Sequence, residues 1–246
     1  MIKKFKLLII LFLLTSVTSA YSEQTGPATE YKMTIHKLEL CADGSTFTTT
    51  WNCINGVDVS GGSVGEAIDI GSAAIGIGQA AATLGNFGKV KTGVKYTHII
   101  TTLSRDFQIT GSTALCSTAG DGAKTTNVGD DTGRGASAPN TTTPVSSKLW
   151  VPAMNNQSAH RGIRSVSDAA GSNPEPGGTL DADHLFFQNV GALAKPYVLK
   201  PGQIPTVTMS FGTLNALHAK TQGDCAASGN EMSAYYPDTS LTIQGQ

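Results

Sequence analysis

Four stretches of the chain carry residue types at spacings that catalysis or ligand binding uses. Gly61-Gly62-Ser63-Val64-Gly65 has the Gly-x-Ser-x-Gly form, in which a serine on a tight strand-to-helix turn becomes a hydrolase nucleophile. His98, His184 and His218 are the candidates for its base. The surroundings speak against that chemistry: no alternation of strands and helices flanks the motif, and a chain with 28 glycines produces such a match cheaply. Gly76-Ile77-Gly78-Gln79-Ala80-Ala81 has the loose dinucleotide form Gly-x-Gly-x-x-Ala, again without the βαβ unit that gives the form its meaning. Asp121, Asp130 and Asp131, and later Asp181-Ala182-Asp183-His184, offer oxygens to calcium, but neither group follows the twelve-residue loop pattern. These four stretches read as a flexible turn, small-residue packing and, for the two aspartate groups, solvated turns. His98, beside Tyr96, reads as a strand-face histidine, and no catalytic residue, metal ligand or cofactor is assigned. Asn140-Thr-Thr and Asn156-Gln-Ser match the glycosylation pattern, which matters only in a host that glycosylates.

The element that must position everything else is Val94 to Thr110, the longest run with strand composition. Period-two reading puts Ile99, Leu103, Phe107 and Ile109 on one face. Tyr96, His98, Thr102, Ser104, Asp106 and Gln108 fall on the other, as in one half-buried strand or two short ones. Glu30 to Leu40 is a second strand whose inward parity changes at His36-Lys37: Tyr31, Met33 and Ile35 precede the change, Leu38 and Leu40 follow it. A β-bulge is the simplest device for that. Thr46 to Cys53 predicts a strand with Phe47, Thr49, Trp51 and Cys53 on one side and Trp51 as a core aromatic. Val57-Asp58-Val59 and Ile68-Asp69-Ile70 predict edge strands or one small hairpin.

Further on, Ser117 to Ser147 is a polar, glycine-rich tract that reads as a long loop or a disordered insertion, with Leu149-Trp150-Val151 anchoring it to the body. Lys200-Pro201-Gly202-Gln203 fits a β-turn feeding a strand with Val207, Met209 and Phe211 inward. Pro205 at its start marks an edge or a strand entry, and Leu241 to Ile243 supplies a last strand. Residues 71–88 are almost all small and uncharged, fitting a short helix or compact loop. Ala73, Ala74, Gly76, Gly78 and Ala81 within them are the candidates for self-association.

Export is predicted from the N-terminus. Lys3, Lys4 and Lys6 precede an unbroken apolar run from Leu7 to Leu14 and a small-residue end at Thr18-Ser19-Ala20, the plan of a secretory signal peptide. Eight apolar residues are far short of the roughly 20 that cross a membrane. Without those three lysines, the 17 basic residues fall to 14 against 18 acidic ones, a net charge of −4. No basic cluster marks a nucleic-acid partner. Four cysteines in an exported chain predict two disulfides. Cys41 and Cys53 flank a short segment turning at Asp43-Gly44 and pair as a local clasp, leaving Cys116 and Cys225 for a long-range bridge.

Tyr31-Lys-Met-Thr-Ile-His-Lys-Leu-Glu-Leu40, Ile68-Asp-Ile70, Gly93-Val-Lys-Tyr-Thr-His-Ile99 and Leu199-Lys-Pro-Gly-Gln-Ile-Pro-Thr-Val-Thr-Met209 resemble, in order and spacing, a group of bacterial secreted β-sandwich domains of unknown function. Those domains have an immunoglobulin-like or prealbumin-like character. The resemblance covers most of residues 30–115 and 197–211, implies fold and location, and brings no catalytic residues with it.

The expectation is an all-β, disulfide-clasped antiparallel β-sandwich. It comprises a signal peptide (1–20), an N-terminal extension (21–29) and one domain (30–246) with a loop-rich insertion at about 117–194. Its expected role is non-enzymatic: a structural or adhesive module of the cell envelope, cell surface or extracellular space, meeting copies of itself or surface glycans and proteins. Neither nucleic acid nor a stable membrane span is expected. In a polymerising version, Tyr21 to Glu30 would be donated to a neighbour's open sheet edge. The alternatives are a periplasmic or surface protein binding a small ligand, glycan or calcium, and a secreted hydrolase using Ser63.

Overall fold

The computed structural model describes residues 22–47, 50–61, 65–70, 85–122, 135–151, 162–174, 183–221, 225, 231–234 and 238–245. Along the chain run β1 (Ser22–Gly26), β2 (Ala28–Ala42), β3 (Val57–Asp58), β4 (Ala67–Asp69), β5 (Lys95–Ser104) and β6 (Asp106–Gly111). Then come β7 (Cys116–Thr118), β8 (Gly135–Pro139), β9 (Ser147–Trp150), β10 (Ile163–Val166) and β11 (Phe186–Val198). The last are β12 (Pro205–Gly212), β13 (Leu217–Thr221), β14 (Glu231–Ala234) and β15 (Asp238–Gly245). The only helical element among the described residues is a 3-10 turn at Phe87–Lys89.

The strands form two sheets. The smaller runs β1-β13-β14-β8-β7; the larger runs β12-β15-β11-β5-β2-β6-β9, with β10 added to β11 and both β3 and β4 to β2. Among the described residues all strand pairings are antiparallel except the contact of β11 with β15 at Leu193 and Leu241, and the isolated bridge of Thr92 with Leu199 is also parallel. One core lies between the sheets, with Tyr31, Ile35, Ile109 and Phe187 from the larger and Leu217, Ala219, Met232 and Ala234 from the smaller. The fold is therefore all-β, antiparallel and two-layered, as its alternating patterns predict.

Several local expectations hold. The register of β2 against β5 shifts between Ile35 and Lys37, so the bulge falls where the parity changes, and Tyr31, Met33, Ile35, Leu38 and Leu40 are all buried. The turn at Lys200 closes with Gln203 N donating to Lys200 O over 3.2 Å, and Gly202 takes φ +80°, where a side chain is disfavoured. Pro205 opens β12, an edge strand whose Met209 and Phe211 pack against the core. The side chain of Val207 lies outside the described residues.

Other expectations are corrected. Val94 to Thr110 is two strands broken at Arg105, and Tyr96 is fully buried instead of lying on the polar face. The register of β5 slips between Tyr96 and His98 against both neighbours, which reverses parity at that point. Thr46 and Asn52 form an isolated bridge inside a loop, not a strand, and β3 and β4 each pair with β2 instead of with one another. Residues 22–26, expected as part of an extension, are a strand of the chain's own smaller sheet, paired from Ser22–Thr221 to Gly26–Leu217. Pro27 then carries the chain into the larger sheet. Within 117–194, loops do connect the ordered pieces, but β8, β9, β10 and β11 belong to the sheets, and β11 lies next to β5.

Glu30 ties three of these pieces together. Its carboxylate receives the Lys32 ammonium, Ser146 Oγ at 2.6 Å and Thr110 Oγ1 at 2.5 Å. Those bonds, led by that from Lys32, hold its pKa at about 2 against an ordinary 4.5. A carboxylate depressed in the folded state stabilises fully above the unfolded pKa and loses that contribution as pH falls through the folded one. Stability is expected to decline between about pH 4.5 and 2, and Glu30→Gln to remove that part of the acid limb. At neutral pH the substitution should cost about 1 kcal/mol, because the group is partly exposed and screened by water. Urea melts of both proteins across this range check it.

Candidate functional site

The outward face of the larger sheet carries the most chemically organised group of side chains in the described structure. Strand pairing sets Lys37 of β2 opposite Thr102 of β5, Thr102 opposite Gln188 of β11, and Gln188 opposite Arg164 of β10. These four form one cross-strand row. Neighbouring rows on the same face hold Glu39, Ile100 and Val190, then Cys41 and His98.

A disulfide-closed loop folds over this face. Cys41 is bonded to Cys53, with Cα atoms 5.1 Å apart, as the spacing predicts. Inside the clasp, Ala42 N donates to Ile54 O, and Ser45 Oγ accepts from Ile54 N while donating to Ala42 O. The exchange of backbone bonds between Thr46 and Asn52 narrows the loop further. Its two aromatic residues are thereby pressed onto the sheet. Phe47 meets Trp51 edge to face at 5.5 Å and His98 at 5.0 Å, and the group covers Ile100, Val190 and the disulfide. Trp51, expected as a core aromatic, is thus a partly buried member of a satellite cluster outside the main core, packed against Phe47.

Arg164 completes the arrangement. Gln188, 3% exposed, donates from Nε2 to Thr102 Oγ1 at 3.2 Å and accepts from Arg164 Nε at 2.9 Å. Held in this way, the guanidinium carbon sits 4.1 Å from the centre of the Trp51 ring, a cation-π contact. Burial pulls the Arg164 pKa down to about 10, with Glu39 acting in the opposite direction, so the group stays charged at neutral pH. Glu39 is paired with Lys37 at 3.3 Å. Among the described residues no carboxylate reaches Arg164 within ion-pair distance, and its two Nη atoms have no hydrogen-bond partner. Trp51 Nε1 is a further buried donor without a partner among the described residues.

The row depends on close packing of the turn at Gly171 over its side chains. Gly171 has φ +86°, and a Cβ there would strike Gln188 Nε2. Gly171→Ala is expected to destabilise the protein by about 1–3 kcal/mol, through backbone strain and displacement of the glutamine. Chemical denaturation should show this loss, together with altered Trp51 fluorescence as Arg164 loses its anchor.

The residues singled out from sequence are placed differently. Ser63, with Ala73, Ala74, Gly76, Gly78 and Ala81, lies outside the described residues, as do residues 1–21 and Asp130, Asp131, Asn156 and Asp181. His98 joins the aromatic face, its Nδ1 at 2.9 Å from Thr97 Oγ1 and its pKa lowered by burial. His184 Nδ1 bonds Ser165 Oγ at 3.1 Å, on the far side of β10 from any part of that cluster's loop. Asp121 accepts from Lys148 N at 2.6 Å, a turn-closing bond. Asn140 is exposed, but its amide donates to the Ala114 carbonyl. Among the described residues no three His, Cys, Asp or Glu side chains converge on one point. A cleft of about 560 Å³ between Ser60, Gly85, Phe87 and Ile204 has no titratable residue among its described lining.

Arg164 went unnoticed in the sequence. Its strand, Ile163-Arg-Ser-Val166, alternates for only four residues inside a polar tract, and its partner Gln188 is 24 positions away. The alternation was the only available signal.

What fold and face define together is an all-β protein braced by two disulfides, with a fixed cation and aromatic rings displayed on one sheet. Comparison with known protein families, characterised proteins and solved structures finds no match. The two disulfides fit an oxidising compartment outside the cytoplasm, and no described helix is long and apolar enough to cross a membrane.

Proposed function

We propose that this chain is an exported, non-enzymatic structural or adhesive module of the cell envelope or extracellular space, acting through contact with surface glycans or copies of itself. The observation that carries the reading is the outward sheet face, where a guanidinium, an indole and a phenyl ring are held on rigid strands and a disulfide-closed loop. Such a rigid grouping of a cation and aromatic rings is of the kind that recognises a ligand, which supports a binding role. Export is supported by the pattern of residues 1–20 and by the oxidised cysteines. Kinship with bacterial secreted immunoglobulin-like or prealbumin-like domains is part of the proposal and rests on the strand and turn pattern alone.

Light scattering coupled to size-exclusion chromatography, negative-stain imaging and binding to glycan-coated surfaces test it. Filaments, a defined oligomer or glycan retention would support the reading. Protein that stays monomeric at high concentration and binds neither cells nor glycans would overturn it.

A further inference from the structure

We propose that the free edge of β12 is a self-association surface, to which β12 of a second copy adds antiparallel about a two-fold axis at Met209. The inference rests on the self-contact part of the reading above and names the surface that makes the contact.

The edges of the two sheets are not equally protected. An edge strand leaves half of its N–H and C=O groups without a strand partner, and proteins guard such edges with short length, charge or a covering element. β3 and β4 are two and three residues long and end in Asp58 and Asp69. β10 carries Arg164, β9 carries Lys148, β1 carries Glu23, and β7 has only three residues. β12 is eight residues long and pairs with β15 along that whole length on its other side. No Asp, Glu, Lys or Arg occurs between Lys200 and Lys220. Among the described residues no strand pairs with the free edge, and Pro205 blunts only its first position. The 3-10 turn at Phe87–Lys89 approaches the strand at its start, where Gln203, Ile204 and Pro205 face it across the cleft.

The occupant follows from the residues that flank the strand. Ile204 and Leu214 are 75% and 77% exposed, the most exposed large apolar side chains among the described residues. They are equidistant in sequence from Met209. An antiparallel pair of identical strands centred on Met209 therefore sets Ile204 of each copy opposite Leu214 of the other, so one contact covers both exposed residues of both copies. Because the strand carries no charge, two copies meet there without like-charge repulsion. The contact is isologous and closes on itself: it makes a dimer with one larger sheet running through both copies, and a filament would need a further contact.

Light scattering coupled to size-exclusion chromatography of the mature, oxidised protein reads the dimer, while circular dichroism and melting temperature confirm that each variant is folded. The unmodified protein is expected to dimerise. Ile204→Lys with Leu214→Lys sets like charges opposite one another at both ends and should weaken the dimer about tenfold or more. Ile204→Lys with Leu214→Glu loses the same apolar surface but pairs opposite charges, and should dimerise far better than the first variant. Cysteines read the register. The extended segment from Ile204 to Leu214 spans roughly 30 Å, so neither Ile204→Cys nor Leu214→Cys should cross-link with itself, whereas an oxidised mixture of the two should. Protein that is monomeric at every concentration would overturn the proposal, as would a dimer indifferent to the two lysines or equal cross-linking of one cysteine variant with itself. A monomer that still binds cells or glycans removes this surface and leaves the adhesive function standing, and a monomer that binds neither removes both. A dimer indifferent to the lysines leaves self-association standing at a surface other than β12.

Discussion

Arg105→Ala is expected to lower the free energy of unfolding by about 3–5 kcal/mol, the largest effect of any single polar substitution considered for this chain. Arg105 is fully buried at the break between β5 and β6. Its Nε and Nη2 donate to Val151 O at 3.2 and 2.9 Å, and its Nη1 donates to His184 O at 2.9 Å. Its backbone continues the clamp, with Arg105 N bonded to Leu185 O and Val151 N to Arg105 O. The residue therefore pins the end of β9 and the approach to β11 onto one corner of the larger sheet. Alanine would strip donors from two carbonyls and leave a cavity the size of the guanidinium, and each loss is costly in an interior. Methionine, similar in length and uncharged, should be milder, because it fills the space and removes the desolvation penalty of a buried cation. Guanidinium-induced unfolding followed by fluorescence would measure the series. A loss below 1 kcal/mol for Arg105→Ala would show that this corner is held by other contacts.

Removing the Cys116–Cys225 bridge is expected to be nearly as damaging. The bond spans 109 positions and joins β7, at one edge of the smaller sheet, to the segment between β13 and β14, with Cα atoms 5.4 Å apart. By the loop-closure argument a crosslink of that span stabilises by about 4–5 kcal/mol, and one spanning 12 positions, as in Cys41–Cys53, by about 3 kcal/mol. Cys116→Ser with Cys225→Ser should therefore depress the melting temperature more than Cys41→Ser with Cys53→Ser. The smaller loss should have the more local consequence: opening the clasp frees Trp51 from Arg164 and changes its emission, whereas opening the long bridge leaves that contact in place. Equal shifts in stability, or a fluorescence change in the wrong variant, would contradict this division of roles. Reducing conditions should reproduce both losses together.

The features legible in the sequence share one physical property: they depend on near neighbours. The parity change at His36-Lys37 needs only the alternation of β2, and the turn at Lys200-Pro201-Gly202-Gln203 needs only the dihedral preferences of its own residues. The cysteine pairing followed because a short segment with a turn closes one bridge and leaves one choice for the other. All-β architecture followed from many short alternating runs and no helical stripe.

What tertiary structure decided involves partners far apart in the chain. Tyr96 turns inward because two neighbouring strands both slip register at that point, a constraint its own strand does not contain. Thr46 to Cys53 has strand-like alternation but no strand to pair with, so the disulfide bends it into a loop that seats Trp51 on the sheet. Residues 163–166 alternate too briefly to announce themselves, yet they become a strand because Phe186 to Asn189 offers an open edge. Arg105 and Arg164 look alike in sequence, each a cation near apolar residues. One is buried against carbonyls that fold back from 46 and 79 positions away, and the other is held at a surface by a glutamine 24 positions away. Composition and local periodicity determined that this chain would build disulfide-braced sheets; which cation became a clamp and which was left facing outward was decided only when the sheets closed.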